Sequence, residues 1–219
     1  MTALICFDVD GCLIDSDVPM MAALNEALFG FGLPMVELEQ LRAHLGPPLV
    51  DTMRGLLADL HQPSGKAETL ATAYRQAYAR ASVLNVSVHA GIPALLAELT
   101  ADGHELLVVS SKPRRYSGPL LEAAGLASYF AGIYGPLGAE TEPKQLTLAR
   151  SLQQRPAPTT TAYMVGDTEA DIVAAHANGV MSIAVTWGYA TLERLRAAGP
   201  DHLVTTPGQV AGIVTERSA

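Results

Sequence analysis

The run Ala3-Leu4-Ile5-Cys6-Phe7, followed at once by Asp8-Val9-Asp10-Gly11, decides the fold. Five apolar residues are too few for a helix, and they end in turn chemistry, so the run reads as a buried strand. Runs of the same kind recur at 106–109, 162–165 and 181–185, with shorter ones at 133–134 and, as an edge strand, at 202–204. Helical spacing of apolar residues marks 92–102, 113–124, 145–152 and 168–178 between them. Three of these stop at a glycine, Gly103, Gly125 and Gly179, as helix C-termini do. Strands alternating with helices imply an α/β fold with a mainly parallel sheet covered on both faces.

The stretch 17–84 breaks the alternation. It lacks a good strand run but has helical periodicity in Met21-Leu24-Leu28, in Leu49-Met53-Leu56-Leu57-Leu60 and in Leu70-Tyr74-Tyr78. Gly30, Gly32-Leu33-Pro34, Gly46-Pro47-Pro48 and Pro63-Ser64-Gly65 punctuate it. It reads as a helical insertion after the first strand, folding as a small second domain.

Composition narrows the function. The 219 residues are 49% hydrophobic, which suits a packed core, and the formal net charge of −8 disfavours sequence-independent nucleic-acid binding. No apolar stretch approaches the length of a membrane span. Cys6 and Cys12 do not make a disulfide framework, and residues 1–10 lack the basic start of a secretory signal. Reduced thiols in a cytoplasmic protein are the expectation.

Ligands of open parallel sheets bind beyond the carboxyl ends of the strands. Three expected strands end in polar residues: Asp8-Val9-Asp10-Gly11, Ser110-Ser111-Lys112 and Gly166-Asp167. Asp8 and Asp10, two apart on an extended chain, point the same way, so they either share a hard cation or keep a proton between them. A plain turn is the competing reading for Asp-x-Asp-Gly. Asp167 and Asp171 share a helical face, yet Thr168-x-x-Asp171 also fits a capping box. Ser110 is either a phosphate donor or a turn serine. Lys144, after Glu142-Pro143, is either a fixed positive charge on a phosphate or a solvated lysine. Four clustered carboxylates and a phosphate need compensation: a divalent cation, Lys144, a proton on Asp10 and hydroxyls such as Ser110.

In this order the segments resemble the haloacid dehalogenase superfamily. Asp8-Val9-Asp10-Gly11-Cys12-Leu13-Ile14-Asp15-Ser16 is similar to its first motif and Val108-Val109-Ser110-Ser111-Lys112-Pro113 to its second. Lys144 stands where the third motif's lysine is expected, and Val165-Gly166-Asp167-Thr168-Glu169-Ala170-Asp171 matches the fourth. Trp187-Gly188-Tyr189, Asp201-His202-Leu203-Val204 and the helical insertion resemble the phosphoglycolate-phosphatase-like branch.

The resemblance implies a Rossmann-like three-layer core, 1–16 and 85–219, with an all-α cap, 17–84. It implies a phosphatase acting on a small phosphate monoester with Mg²⁺. Asp8 is the implied nucleophile and Asp10 the acid and base. Asp8, the Asp10 backbone carbonyl and Asp167 are the implied metal ligands, supported by Asp171. Gly11, Ser110, Ser111 and Lys144 are expected on the phosphate. Hinges are expected near 16–18 and 83–88. Cys12 stands where the family usually has Thr and is expected to leave a thiol open to oxidation. Ser110 replaces the commoner Thr, and the Lys-Pro pair of the third motif is absent. Asp10 argues against dehalogenation. A phosphomutase of the β-phosphoglucomutase type and a non-catalytic phosphate-binding protein are the alternatives. For substrate choice, 46–49 is the expected cap loop. Arg42, His44 and Arg54 read first as surface residues, with Arg54 as the candidate for a substrate carboxylate.

Overall fold

A computed structural model describes residues 2–45, 47–84, 86–137, 142–155 and 161–216. Its strands are β1 (Leu4–Phe7), β2 (Ile14–Asp15), β3 (Ser87–Val88), β4 (Glu105–Val109), β5 (Gly132–Tyr134), β6 (Ala162–Gly166), β7 (Met181–Val185) and β8 (His202–Val204). The α-helices are α1 (Asp17–Gly30), α2 (Leu38–Arg42), α3 (Leu49–Asp59), α4 (Ala67–Leu84) and α5 (Ile92–Ala101). They continue with α6 (Arg114–Ala123), α7 (Lys144–Gln153), α8 (Glu169–Ala177), α9 (Leu192–Ala198) and α10 (Pro207–Glu216).

Six strands form one parallel sheet in the order β5-β4-β1-β6-β7-β8. β1 is central, with all four residues buried, because it pairs with β4 on one side and β6 on the other. Its side chains alternate between two cores, as a strand's period of two requires. Ile5 and Phe7 pack with Leu96 and Leu99 of α5, Leu121 of α6 and Val214 of α10. Leu4 and Cys6 pack with Leu148 of α7 and Ala174 of α8 on the opposite face. Helices therefore cover both faces, and the layered α/β architecture is the expected one. β8 lies at an edge, also as expected.

Register places the chemistry. Phe7 is level with Val108 on β4 and Val165 on β6. Asp8, Ser110 and Asp167 thus leave the sheet at neighbouring points of one edge, at the crevice where the chain order reverses about β1.

Helices α1–α4 bury a separate cluster, including Leu24, Leu28, Met53, Leu56 and Leu70. Each such leucine is worth roughly 2 kcal/mol of burial. Tyr189, from the loop after β7, also enters this cluster and so joins the insertion to the sheet edge. Two features go beyond the sequence reading. β2 and β3 form a short antiparallel pair, Ile14 with Val88 and Asp15 with Ser87, at the root of the insertion. Two residues per strand are too few to show a period. α9 and α10 are the other additions.

Candidate active site

Asp8 follows β1 directly, and its N–H donates to the Val165 carbonyl at 2.9 Å, continuing the sheet by one residue. Its carboxylate is buried against Lys144, whose Nζ is 3.0 Å from Asp8 Oδ2 and 2.6 Å from Asp171 Oδ1. Lys144 is the first residue of α7, after Pro143 at the N-cap, and is itself buried. The solvated-lysine reading is excluded. Burial would lower the Lys144 pKa, but Asp171 and Asp8 outweigh it and hold the ammonium charged.

Asp171 satisfies both readings of its motif. Its Oδ2 accepts from the Thr168 N–H at 3.0 Å and the Thr168 hydroxyl at 2.9 Å, which closes a capping box on α8. Its Oδ1 takes the Lys144 ammonium. The N-cap is Thr168, and Asp167 is left for other work.

Asp167 is fully buried, and its Oδ2 accepts the Tyr189 N–H at 2.8 Å. Two neighbouring glycines make room for it. A Cβ on Gly188 or on Gly11 would collide with the Asp167 carboxylate, and Gly11 also holds φ at +81°, a region that favours glycine. The Trp187-Gly188-Tyr189 segment further clasps the first motif through Trp187 Nε1, which donates to the Cys12 carbonyl at 3.0 Å.

Asp8, Asp167 and Asp171 bring carboxylate oxygens within 4.8 Å of one another. Asp8 Oδ1 and Asp167 Oδ1 are buried without a hydrogen-bond partner among the described residues. Unpaired buried carboxylate oxygens are costly, and hard oxygen donors of this kind suit a divalent cation. The electrostatics agree. Burial pushes the Asp8 pKa up to about 6 against the pull of Lys144, with Asp171 and Asp10 adding to the rise. Burial, then Asp171 and Asp8, raises Asp167 well above the carboxyl range.

Asp10 lines the same cavity as Asp8, but its carboxylate has partners of its own. The strand ends at Phe7, a turn bridges Asp10 to Ile14, and the Asp10 carboxylate meets Lys112 from beyond β4. Lys112 Nζ lies 2.7 Å from both its oxygens, while Ser16 Oγ donates at 2.6 Å and the Tyr78 hydroxyl at 2.9 Å to Oδ1. Burial alone would raise the Asp10 pKa. Lys112 and these hydrogen bonds outweigh it, so the expected proton on Asp10 is not favoured in this arrangement.

The sequence holds a signal for Lys112, which closes the polar end of β4. It holds none for Tyr78, which arrives from α4 across 68 positions.

Ser110 is buried and accepts the Lys112 N–H at 3.1 Å, so it is a turn serine whose own proton remains to be donated. Ser110 and the half-buried Ser111 line a cavity of about 150 Å³ together with Asp8, Asp10 and Lys144. The cap-loop expectation is met by Pro47 and Leu49, which line it too; Gly46 lies outside the described residues.

Arg42 pairs with Asp17, His44 with Asp59 and Arg54 with Asp51, and none of the three lines this cavity. Cys12 corrects another expectation. Its thiol is fully buried beneath the motif, and burial raises its pKa well above the usual thiol range, so it is not open to oxidation.

One arginine ties the insertion to the sheet edge. Arg194 of α9 pairs with Glu169 and donates to the carbonyls of Arg42 at 3.2 Å and Leu45 at 3.1 Å. The ion pair is half exposed, so Arg194→Ala is expected to lower Tm by no more than about 4 °C. It is also expected to speed protease cleavage at 42–45 relative to the rest of the chain. Unchanged cleavage would show that the clasp does not restrain this loop.

Comparison with known proteins agrees with the geometry. The family profile described as haloacid dehalogenase-like hydrolase matches residues 5–185. The chain is 34% identical over 216 residues to a protein named probable phosphatase IndB from Dickeya dadantii, covering 97% of this chain and 93% of that one. It is 33% identical over 194 residues to phosphoglycolate phosphatase 1 of Pseudomonas aeruginosa, covering 85% and 70%. Among solved structures, a predicted phosphatase from Clostridium acetobutylicum superposes with a TM-score of 0.88 at 28% identity, covering 99% of each chain. Matching four motifs in order, with their carboxylates and lysine gathered at one sheet edge, the chain belongs to the haloacid dehalogenase-like hydrolases.

Proposed function

We propose that this protein is a Mg²⁺-dependent phosphatase of small-molecule phosphate monoesters, working through an aspartyl-phosphate intermediate. The observation that carries the reading is the buried Asp8 carboxylate, fixed by Lys144 beside the unpaired oxygen of Asp167. In the first half-reaction an Asp8 oxygen attacks phosphorus, and the ester P–O bond breaks as the acyl phosphate forms. Asp10 gives its proton to the leaving alkoxide. In the second, water attacks phosphorus, its proton passes to Asp10, and inorganic phosphate leaves with Asp8 restored. A phosphate dianion arriving beside Asp10 opposes the pull of Lys112 and favours the protonated carboxyl that the first step needs.

Ser110, Ser111 and the Gly11 turn face the phosphoryl oxygens in this reading, and Lys144 keeps its charge on the reacting centre. Asp8, Asp167 and the Asp10 carbonyl would hold Mg²⁺, with Asp171 orienting Lys144; when bound, the ion supplies positive charge to the phosphoryl oxygens. The division into a core, 1–16 and 85–219, and a closing cap, 17–84, belongs to the same reading. Its hinges are 16–18 and 83–88, where the β2–β3 pair meets the insertion, and a cytoplasmic setting completes it. Among the described residues no helix is long and apolar enough to cross a membrane.

Phosphate release tests the proposal, using phosphoglycolate (the substrate in the names of several relatives), sugar phosphates, nucleoside monophosphates and pyrophosphate, each with Mg²⁺ and with EDTA. Mg²⁺-dependent release that EDTA abolishes is expected. Release indifferent to EDTA, or none from folded protein, would overturn it.

A further inference from the structure

The cavity continues from Asp8 toward the α1–α4 side, and the wall there is apolar. Met20 of α1, Leu45, Pro47 and Leu49 line it from the insertion. Tyr74 and Tyr78 of α4, stacked with ring centres 5.7 Å apart, line it from a second direction, and Tyr116 of α6 from the sheet side. Arg75 of α4 and Tyr189, whose buried hydroxyl has no hydrogen-bond partner among the described residues, line the cavity as well, while the other polar groups of this wall have partners. Lys112 is shared between Asp10 and the Tyr78 hydroxyl, and its Nζ sits 4.2 Å over the Tyr78 ring. Thr52 donates to the His44 carbonyl. Arg54, the sequence's candidate for a carboxylate, is held by Asp51 away from the cavity.

Resting on the proposed roles of Asp8 and Asp10, we infer that the substrate's leaving group carries an apolar, ring-sized body that packs between the tyrosines and the side chains of Leu45, Pro47 and Leu49. Asp10 serves the ester oxygen, so whatever that oxygen carries extends into the space beyond Asp10, and this space is walled by leucine, proline, methionine and tyrosine rings. A second carboxylate on the substrate would have to compete with Asp10 for Lys112 or reach Arg75 at the margin of this wall. A sugar would lay hydroxyls against Met20, Leu45, Pro47 and Leu49, at the cost of leaving those hydroxyls unpaired. A flat apolar group loses water on both faces and meets aromatic rings suited to offset stacking.

The test compares kcat/KM for benzyl phosphate and ethyl phosphate, whose alcohols leave with similar ease, and for phosphoglycolate, in the presence of Mg²⁺. Burying one phenyl ring predicts a benzyl-to-ethyl ratio of about 10 to 100. The ratio is expected to fall several-fold in Leu49→Ala and in Tyr116→Ala, two variants on separate elements. A lost fold cannot imitate this, since it lowers kcat/KM for both esters alike and leaves their ratio unchanged. A ratio near unity, a ratio unchanged in both variants, or phosphoglycolate preferred over benzyl phosphate overturns the inference while leaving the phosphatase reading intact. Absence of turnover with every ester overturns both.

Discussion

Replacing Asp8 by Asn is expected to abolish turnover and, in metal-free protein at neutral pH, to raise Tm. The first effect follows from chemistry: an amide cannot form the acyl phosphate, and loss of a covalent nucleophile costs about 10⁴-fold or more in kcat. The second follows from the carboxylate's surroundings. Asp8 is buried, its pKa is raised to about 6, and one of its oxygens has no partner among the described residues. Between pH ~4, where an unfolded aspartate titrates, and about 6, the folded state binds more protons than the unfolded one. Stability therefore falls as pH rises through that window, and the deficit persists above it. Two pKa units correspond to roughly 3 kcal/mol at most, or several degrees in a chain of this size. Asn removes the charge and the deficit. Thermal melting of both proteins from pH 4 to 8 should show the variant's advantage grow through the window. Mg²⁺ should then stabilise the wild type more than the variant, because an ion that binds the folded state raises its stability. Undiminished phosphate release from Asp8→Asn would remove Asp8 from the nucleophile's role. A variant that melts below the wild type at pH 8 would show that its carboxylate is better compensated than the geometry indicates.

The same carboxylates show how far the sequence could be read. The sheet was legible because β1, β4, β6 and β7 are short continuous apolar runs, and burial on both faces demands such runs. Asp8 and Asp167 were legible because they close two of those runs. Lys144 was ambiguous for a physical reason: a lysine at a helix start is ordinarily solvated, and only the fold brings α7 against α8 and β1. Asp10 was legible as a neighbour of Asp8, and both line one cavity, but the partners of its carboxylate were not legible. Beyond Phe7 the chain turns, and partners distant in sequence decide where the carboxylate goes. Ser16, Tyr78 and Lys112 come from three separate elements, and no local pattern encodes their meeting. The β2–β3 pair was hidden by its length alone.

Lys144→Met should be the most destabilising single change at this sheet edge. Lys144 is buried between Asp8 and Asp171, and Met fills much of its volume while removing the charge. What remains is a cluster of three buried aspartates with the nearest cation gone. Breaking a buried pair by deleting one partner costs about 3–5 kcal/mol, because the surviving charge stays desolvated. For a chain of this length that is a fall in Tm of about 10 °C. The loss should shrink as pH falls through about 6, where Asp8 takes up a proton and needs no counter-ion. Phosphate release should fall as well, by about 10²- to 10³-fold, the scale for removing one preorganised charge from a transition state. Coupling then separates this account from a simple packing defect. If Lys144 acts by neutralising Asp8, adding Asp8→Asn should raise Tm more in the Lys144→Met background than in the wild type, since the charge it removes is then stranded. If Lys144 acts only by filling space, adding Asp8→Asn should change Tm by the same amount in either background. Melting curves of the four proteins, metal-free at pH 8, decide between the two.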